Sequence, residues 1–245
     1  GQIGSAFSEK WPGTPNELLW QLKNFHSFIW ASGGAFNDFY IHVIDHCCWM
    51  KNDWPIDASG LGGRHYRRDF VDQNFDSYSV EYTFADGAKL VCNGRCMPSV
   101  DNFFHRYALG TKGMAVVSKN GDCGPPSSTY RGLNKDKANR IWESSAPRDQ
   151  RSPYQNEWED LIDAIRNDQP FNEVAYGVKA SLVSSMGRKA AHSGRKVTFE
   201  EMLNSDLEYA PGADKWTMDS PPPFKADENG LYPVPDPSMK GRLEY

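Results

Sequence analysis

The sequence predicts an α+β fold: an open, predominantly antiparallel β-sheet with helices packed on one face. Two observations lead to this prediction. Apolar and polar residues alternate in the middle of the chain, most clearly over 77–84, which is typical of half-buried strands. The later part carries apolar residues at helical spacing over 153–167 and 172–192. A meander of strands needs a cover on one face, and these helices can supply it.

The first elements are a short strand and two helices. Residues 3–7 are predicted as a strand, and 16–28 as a helix with apolar residues at helical spacing. The pair Gly33-Gly34 interrupts the chain, and a second helix follows it until 52–55.

The strands of the meander come next. Asp86-Gly87 predicts a tight hairpin, and 110–113 predicts a second turn. The strands predicted around these turns are 56–66, 77–84, 88–97, 103–109, 114–118 and 140–144.

Helices and a proline-rich stretch end the chain. Ser152 and Pro153 begin one helix, and the longest helix covers 172–192, with Val174, Val178, Leu182, Val183 and Met186 predicted to face inward. A short edge strand over 196–199 and a small helix capped by Thr198 follow. We predict a substrate-binding and oligomerisation domain over 1–210, and an extended proline-rich tail over 211–245.

Composition excludes several classes of protein. The 245 residues carry a net charge of −5 and no long basic stripe, so we expect no nucleic-acid partner. The short basic clusters 64–68 and 187–189 are interpreted as solvated surface. No apolar run approaches about 18 residues, so we expect no membrane span. Five cysteines at irregular spacing predict free thiols and a cytoplasmic protein, although an export signal upstream of this sequence would change that location.

The candidate site lies after the double glycine. On a helix, Asp38, His42 and Asp45 share one face, and a carboxylate four residues before a histidine can orient its ring for proton transfer. His42 and Asp38 are therefore the candidate catalytic residues. Asp45, Trp30 and His26 are candidates for substrate binding, because aromatic walls with a few polar groups suit a polyhydroxylated ring.

Two other interpretations stay open. His42 and His46 frame an H-x-x-D-H sequence that could hold zinc in a hydrolase, although no third ligand is evident. The acid–histidine cluster could also be structural, in a non-catalytic binding or assembly module. The glycines of 60–63 do not form a dinucleotide fingerprint, because His65 stands where its last glycine is needed.

The ordered series of motifs resembles one family. The spacing Gly-Gly-x3-Asp-x3-His-x2-Asp over 33–45 is similar to the C-terminal-domain signature of the glucose–fructose oxidoreductase/inositol dehydrogenase (Gfo/Idh/MocA) family. Further resemblances lie, in the same order, at 2–4, 54–63, 86–87, 109–113, 154–165 and 194–197. The resemblance covers roughly residues 2–205.

The resemblance implies a function. It predicts the substrate domain of an NAD(P)-dependent dehydrogenase that moves a hydride between nicotinamide and a sugar or cyclitol hydroxyl. His42 would exchange the hydroxyl proton and Asp38 would support it. NAD or NADP would bind mainly to an N-terminal Rossmann domain that this sequence lacks, so this stretch alone is expected to be inactive. The resemblance also implies a homodimer or homotetramer formed through the open sheet face.

Overall fold

A computed structural model describes residues 2–3, 11–13, 16–65, 70–97, 100–101, 103–118, 127–145, 152–238 and 244. The chain forms two compact units. The first combines Gly1–Asn102 with Ser181–Tyr245, and the second is Phe103–Ala180. The predicted domain over 1–210 therefore covers the second unit and most of the first, and the predicted tail over 211–245 belongs to the first unit.

The described helical segments of the first unit precede and follow its sheet. They are α1 (Glu17–Lys23), a 3₁₀ turn (Phe25–Ser27), α2 (Ile29–Ser32), a π-helical turn (Phe36–Tyr40), α3 (Ile41–Lys51), the later part of α5 (Val174–Ser193), α6 (Phe199–Leu203) and a second 3₁₀ turn (Ala213–Lys215). The Asn16 side chain caps α1 by accepting from the Leu19 amide. α1 is shorter than predicted, because the Asn24 side chain bonds back to the Trp20 carbonyl and the helix ends there.

A five-stranded sheet forms the centre of the first unit. Its strands are β1 (Gln2–Ile3), β2 (Asp57–Gly63), β3 (Ser77–Thr83), β4 (Lys89–Cys96) and β9 (Val197–Thr198). They lie in the order β1-β4-β3-β2-β9. All the pairs are antiparallel except β1 with β4. The hairpin of β3 and β4 turns at Asp86-Gly87, as predicted, and pairs Val80 with Cys92.

Helices cover one face of this sheet. Tyr78, Val80 and Tyr82 of β3 are buried, whereas the alternate residues Ser79 and Glu81 are exposed. The cover is close: a Cβ on Gly60 of β2 would lie 2.9 Å from the backbone nitrogen of Ala191 in α5. One face is thus packed on helices and the other faces solvent, which confirms the predicted α+β class.

The second unit has a sheet of its own. Its antiparallel strands run in the order β5 (Arg106–Gly110), β6 (Gly113–Ser118), β7 (Ser128–Arg131) and β8 (Arg140–Glu143). Met114, Val116 and Tyr130 form its core cluster. The predicted strands therefore belong to two sheets instead of one, and β7 was not predicted because its four residues are too short and polar to show a period.

The helices of the second unit expose apolar residues that the sequence predicted to be inside. α4 (Pro153–Arg166) has no buried residue in the described part of the chain, and Trp158 and Ile165 on its apolar stripe are exposed. The first turns of α5 likewise expose Val174 and Val178. Only the later part of that helix matches the prediction, since Val183 and Met186 are fully buried.

The proline-rich segment packs along α1. Gln21 donates to the Phe224 carbonyl, and Glu17 accepts from the Tyr232 hydroxyl and the Ala226 amide. Tyr232 also stacks on Trp20, with ring centroids 6.1 Å apart. These contacts hold the segment against the first unit, beside the elements that lead to the candidate site.

Candidate functional site

A cavity of about 670 Å³ opens in the first unit beside the predicted catalytic pair. Asp38 and His42 both line it. The rest of the wall comes from α2, Gly33, Asn37 of the π-helical turn, Ile41 of α3, α5, and the segment from α6 to residue 209. The other polar side chains of the wall include Asn37, Ser185, Arg188, Lys189 and Tyr209. Such a volume, with hydrogen-bonding groups on several walls, is typical of small-molecule sites.

The double glycine sets the direction of the chain into the site. Gly33 and Gly34 both have left-handed φ angles, +75° and +74°. A Cβ on Gly34 would lie 2.5 Å from the Asn74 side-chain oxygen, so the second position has no room for a side chain. Glycine is the residue that adopts this conformation without steric cost, and here the close approach requires it as well.

Asn74 is a buried clamp on this turn. Its side-chain oxygen accepts from the Ala35 amide at 2.7 Å, and its side-chain nitrogen donates to the His26 carbonyl at 2.9 Å. One side chain thereby ties the segment that carries His26 to the segment that carries Asp38. Sequence reasoning missed this residue, because an asparagine between predicted strands carries no periodic signal.

The helix that carries the site is not uniform. Residues 36–40 form a π-helical turn, and α3 begins at Ile41, whereas the sequence predicted one continuous helix. Asn37 fixes the turn on α5 by donating to the Ser185 hydroxyl at 2.7 Å. Single π turns inside helices are frequent at functional sites, because the extra residue redirects the side chains that follow.

Asp38 forms its ion pair with His26. The contact joins Asp38 Oδ2 to Nδ1 of the His26 ring, and both side chains are partly exposed. His26 lies between Phe25 and Phe39, with ring centroids 3.9 Å and 5.3 Å away. His42 lines the cavity with an exposed side chain. The structure therefore brings Asp38 and His42 to one cavity and adds His26 behind Asp38.

The other predicted binding residues lie elsewhere. Asp45, Trp30 and His26 are not part of the cavity wall. Trp30 donates to Gln21 at 2.8 Å and packs edge-on against Trp216 in the cluster that holds the proline-rich segment. Asp45 Oδ1 is buried and finds no hydrogen-bond partner in the described part of the chain. Binding roles for these three residues stay predictions.

Two buried cations line the cavity, and each has a carboxylate partner. Lys189 Nζ lies 3.2 Å from Glu201 Oε1. Arg188 makes a forked pair with Glu244, from Nε at 2.9 Å and from Nη2 at 3.0 Å. The interpretation of 187–189 as solvated surface was wrong, since both side chains are only 4% exposed. The sequence did offer a signal for this burial: Arg188 and Lys189 lie just after Met186, which was predicted to face inward on the same helix.

The structure offers little support for a metal or thiol site. No three His, Cys, Asp or Glu side chains gather closely enough to hold a metal ion in the part of the chain that the structure describes. The zinc interpretation of His42 and His46 thus lacks a third ligand there. Burial raises the pKa of the Cys48 and Cys92 thiols to about 12, which disfavours the reactive thiolate.

Comparison with solved structures places the fold. Aldose-aldose oxidoreductase from Caulobacter crescentus, complexed with glycerol, matches 80% of this chain and 53% of its own, with 18% identity and a TM-score of 0.55. A putative oxidoreductase from Thermotoga maritima matches 78% and 52%, with 14% identity and a TM-score of 0.52. GenD2 from gentamicin A biosynthesis, in complex with NAD, matches 71% and 50%, with 19% identity and a TM-score of 0.50.

The chain has the fold of the glucose–fructose oxidoreductase/inositol dehydrogenase family. The predicted resemblance is thus confirmed at the level of the fold. This chain spans about half the length of the solved structures that it matches. No protein-family model and no curated protein matches it. None of the helices described is long and apolar enough to cross a membrane.

Proposed function

We propose that this chain is the substrate-binding part of an NAD(P)-dependent oxidoreductase that acts on a sugar, a cyclitol or a derivative. One observation carries the proposal: Asp38 and His42 share the wall of a cavity in a fold typical of oxidoreductases. The hydroxyl and amide groups of Ser185, Asn37 and Tyr209 offer donors and acceptors to a polyhydroxylated ligand.

The residues of the cavity suit oxidation of an alcohol. A nicotinamide held outside this chain would supply the hydride acceptor for the carbinol carbon. His42 takes the proton of the hydroxyl as the carbonyl forms, and returns it in the reverse direction. The Asp38 carboxylate, held by His26, lies beside this event and supports the positive charge that the imidazole gains.

The sequence has no Gly-rich strand-to-helix turn of the dinucleotide-binding kind. We propose that a Rossmann domain preceding this chain in a longer protein holds the dinucleotide and presents the nicotinamide to the cavity.

The test uses the full-length protein that contains this chain. Purified enzyme is assayed for NAD⁺ and NADP⁺ reduction over a panel of aldoses and cyclitols. We expect turnover with at least one panel member, and a loss of about 100-fold or more in kcat for His42→Ala. His46→Ala is the matched control, because it removes an imidazole from the same helix at a position outside the cavity wall.

The outcomes separate the candidate functions. Unchanged turnover in His42→Ala would remove His42 from the mechanism. Zinc that copurifies in stoichiometric amount and is lost in His46→Ala would favour the hydrolase instead. No turnover over the panel, together with full cellular function of the variant that combines Asp38→Asn and His42→Ala, would favour an assembly module.

We also propose that the protein forms a homodimer or homotetramer through the open face of the five-stranded sheet. This face presents Glu81, Val91 and Arg95, and contact with a second copy of the chain would remove Val91, which is 56% exposed, from water.

A further inference from the structure

We propose that Glu244 is a positioning residue for the site: through Arg188, it fixes the Gly33 turn and so the placement of Asp38 and His42. This inference rests on the proposed function. It assigns a role in the site to a residue in the last few positions of the chain, far in sequence from the pair that it would hold in place.

The first step is the contact between α5 and the turn. Arg188 Nη1 donates to the Gly33 carbonyl at 3.0 Å. Gly33 and Gly34 adopt left-handed φ angles, and glycine permits many other conformations, so this turn needs an external contact to hold it. Asp38 follows within a few residues, in the π-helical turn. The position of the guanidinium therefore bears on the position of the carboxylate.

The second step is what holds the guanidinium. Glu244 accepts from Arg188 Nε and Nη2 through its two oxygens, and the two side chains are 1% and 4% exposed. A forked pair of this kind fixes the plane of the guanidinium, and only one orientation then presents Nη1 to Gly33. Tyr209 strengthens the arrangement, because its hydroxyl contacts Glu244 Oε2 and accepts from Arg188 Nη2 at 3.1 Å.

The third step is what holds Glu244. His192 Nδ1 lies 3.2 Å from Glu244 Oε1, and its Nε2 lies 3.0 Å from the Tyr78 hydroxyl. That hydroxyl also accepts from the Phe75 amide at 3.0 Å, which ties the His192 ring to the segment before β3. The His192 ring thus lies between the Tyr78 hydroxyl and the Glu244 carboxylate, at contact distance from both. The carboxylate is anchored on β3 and α5, and the anchor reaches Gly33 through Arg188.

The experiment compares two Glu→Gln variants, each of which removes a contact that fixes the C-terminal part of the chain to the first unit. Glu244→Gln replaces an acceptor oxygen by an NH₂ donor that faces Arg188 and His192, so the fork cannot persist. Glu17→Gln is the matched control, because Glu17 accepts from Tyr232 and Ala226 and anchors the proline-rich segment without contacting Gly33.

Two readouts are used on the full-length protein. The first is the ring ¹H–¹³C NMR signals of His26 and His42 without ligand. The second is kcat and KM for the best substrate of the panel, per folded molecule and well below the Tm of each variant. We expect Glu244→Gln to shift both ring signals and to lower kcat about tenfold or more, with KM within about twofold. Glu17→Gln should lower the Tm while leaving the ring signals and kcat in place.

The outcomes decide the proposal. Equal changes in the two variants would reduce Glu244 to general stability and overturn it, and unchanged ring signals in Glu244→Gln would also overturn it. If Glu244→Gln does not fold, Tyr209→Phe is used instead, because it removes one contact of the fork and keeps the carboxylate. Unchanged NMR signals of the His26 and His42 rings in Tyr209→Phe would count against the proposal. If the wild type turns over nothing in the panel, the proposed function fails while the NMR comparison still decides the positioning role.

Discussion

Asp38 forms an ion pair with His26, a residue that precedes it by one short helix and the double-glycine turn. The Asn74 side chain bonds to the backbone of both segments and so keeps the two partners together. The carboxylate of the predicted catalytic pair therefore has a second imidazole behind it, at the edge of a cavity whose wall includes His42.

The ion pair predicts a graded effect of His26. His26→Gln keeps a polar side chain but removes the imidazole that contacts the carboxylate, so Asp38 is less firmly held. We expect kcat to fall about tenfold, less than in His42→Ala, because His26 does not itself exchange the substrate proton. Steady-state kinetics of the two variants on one substrate measure this. A loss as large as that of His42→Ala would place His26 in the proton transfer itself.

The double glycine predicts a large stability difference between two similar variants. In Gly34→Ala, the new Cβ meets the Asn74 oxygen and the backbone is strained at φ +74°. In Gly87→Ala, the backbone is strained at φ +85°, but nothing lies within 4 Å of the new atom. We expect both to lose stability, with Gly34→Ala losing about 1–3 kcal/mol more in chemical denaturation. Equal losses would contradict the close approach of Asn74.

The shifted pKa values of His192 and Glu244 predict that the folded protein loses stability in acid. Burial lowers the pKa of His192 below 6.5 despite the nearby Glu244, so below that pH the unfolded chain takes up a proton that the folded protein refuses. Burial disfavours ionised Glu244, but Arg188 and His192 outweigh it and lower its pKa from 4.5 to about 2. The stability that Glu244 contributes is complete above pH 4.5 and is lost as the pH falls toward 2.

Thermal melts between pH 7 and pH 3 measure this. As the pH is lowered, the Tm should decrease over two pH ranges. The first range begins at about pH 6.5 and the second at about pH 4.5. Glu244→Gln should start from a lower Tm and show a weaker second range, because it has no carboxylate to protonate there. A second range that persists unchanged in Glu244→Gln would assign it to other carboxylates.

The open sheet face predicts the behaviour of the assembly. Val91→Lys places a charge on that face, so we expect light scattering to show a smaller assembly. Leu109→Lys is the matched control, because Leu109 is an exposed apolar residue of β5 in the other sheet. The same mass for Val91→Lys and the wild type would contradict an interface on this face.

Local signals predicted much of the fold. Alternation and the Asp86-Gly87 turn predicted the β3–β4 hairpin almost residue for residue. The spacing of apolar residues predicted α4 and α5, because the period of a helix is a property of neighbouring residues. Whether an apolar stripe is covered depends on distant parts of the chain, which explains why Trp158 on α4 is exposed against expectation.

The sequence could predict only the local part of the candidate site. Spacing placed Asp38 and His42 together, and both line one cavity. The pairing with His26, the clamp of Asn74 and the fork between Arg188 and Glu244 join residues that are far apart in the chain, and no period or turn signal encodes them. The π-helical turn was missed for a related reason, since its geometry is set by packing on α5 through Asn37.

The most direct test of the central claim is a double-mutant cycle on kcat/KM with His42→Gln, Asp38→Asn and the variant that carries both substitutions. If the two side chains act as one unit on the substrate hydroxyl, each single variant loses about 100-fold or more, and the double variant loses little beyond the larger single loss. Losses that simply multiply, or a single variant that keeps wild-type kcat/KM, would contradict a shared role for Asp38 and His42.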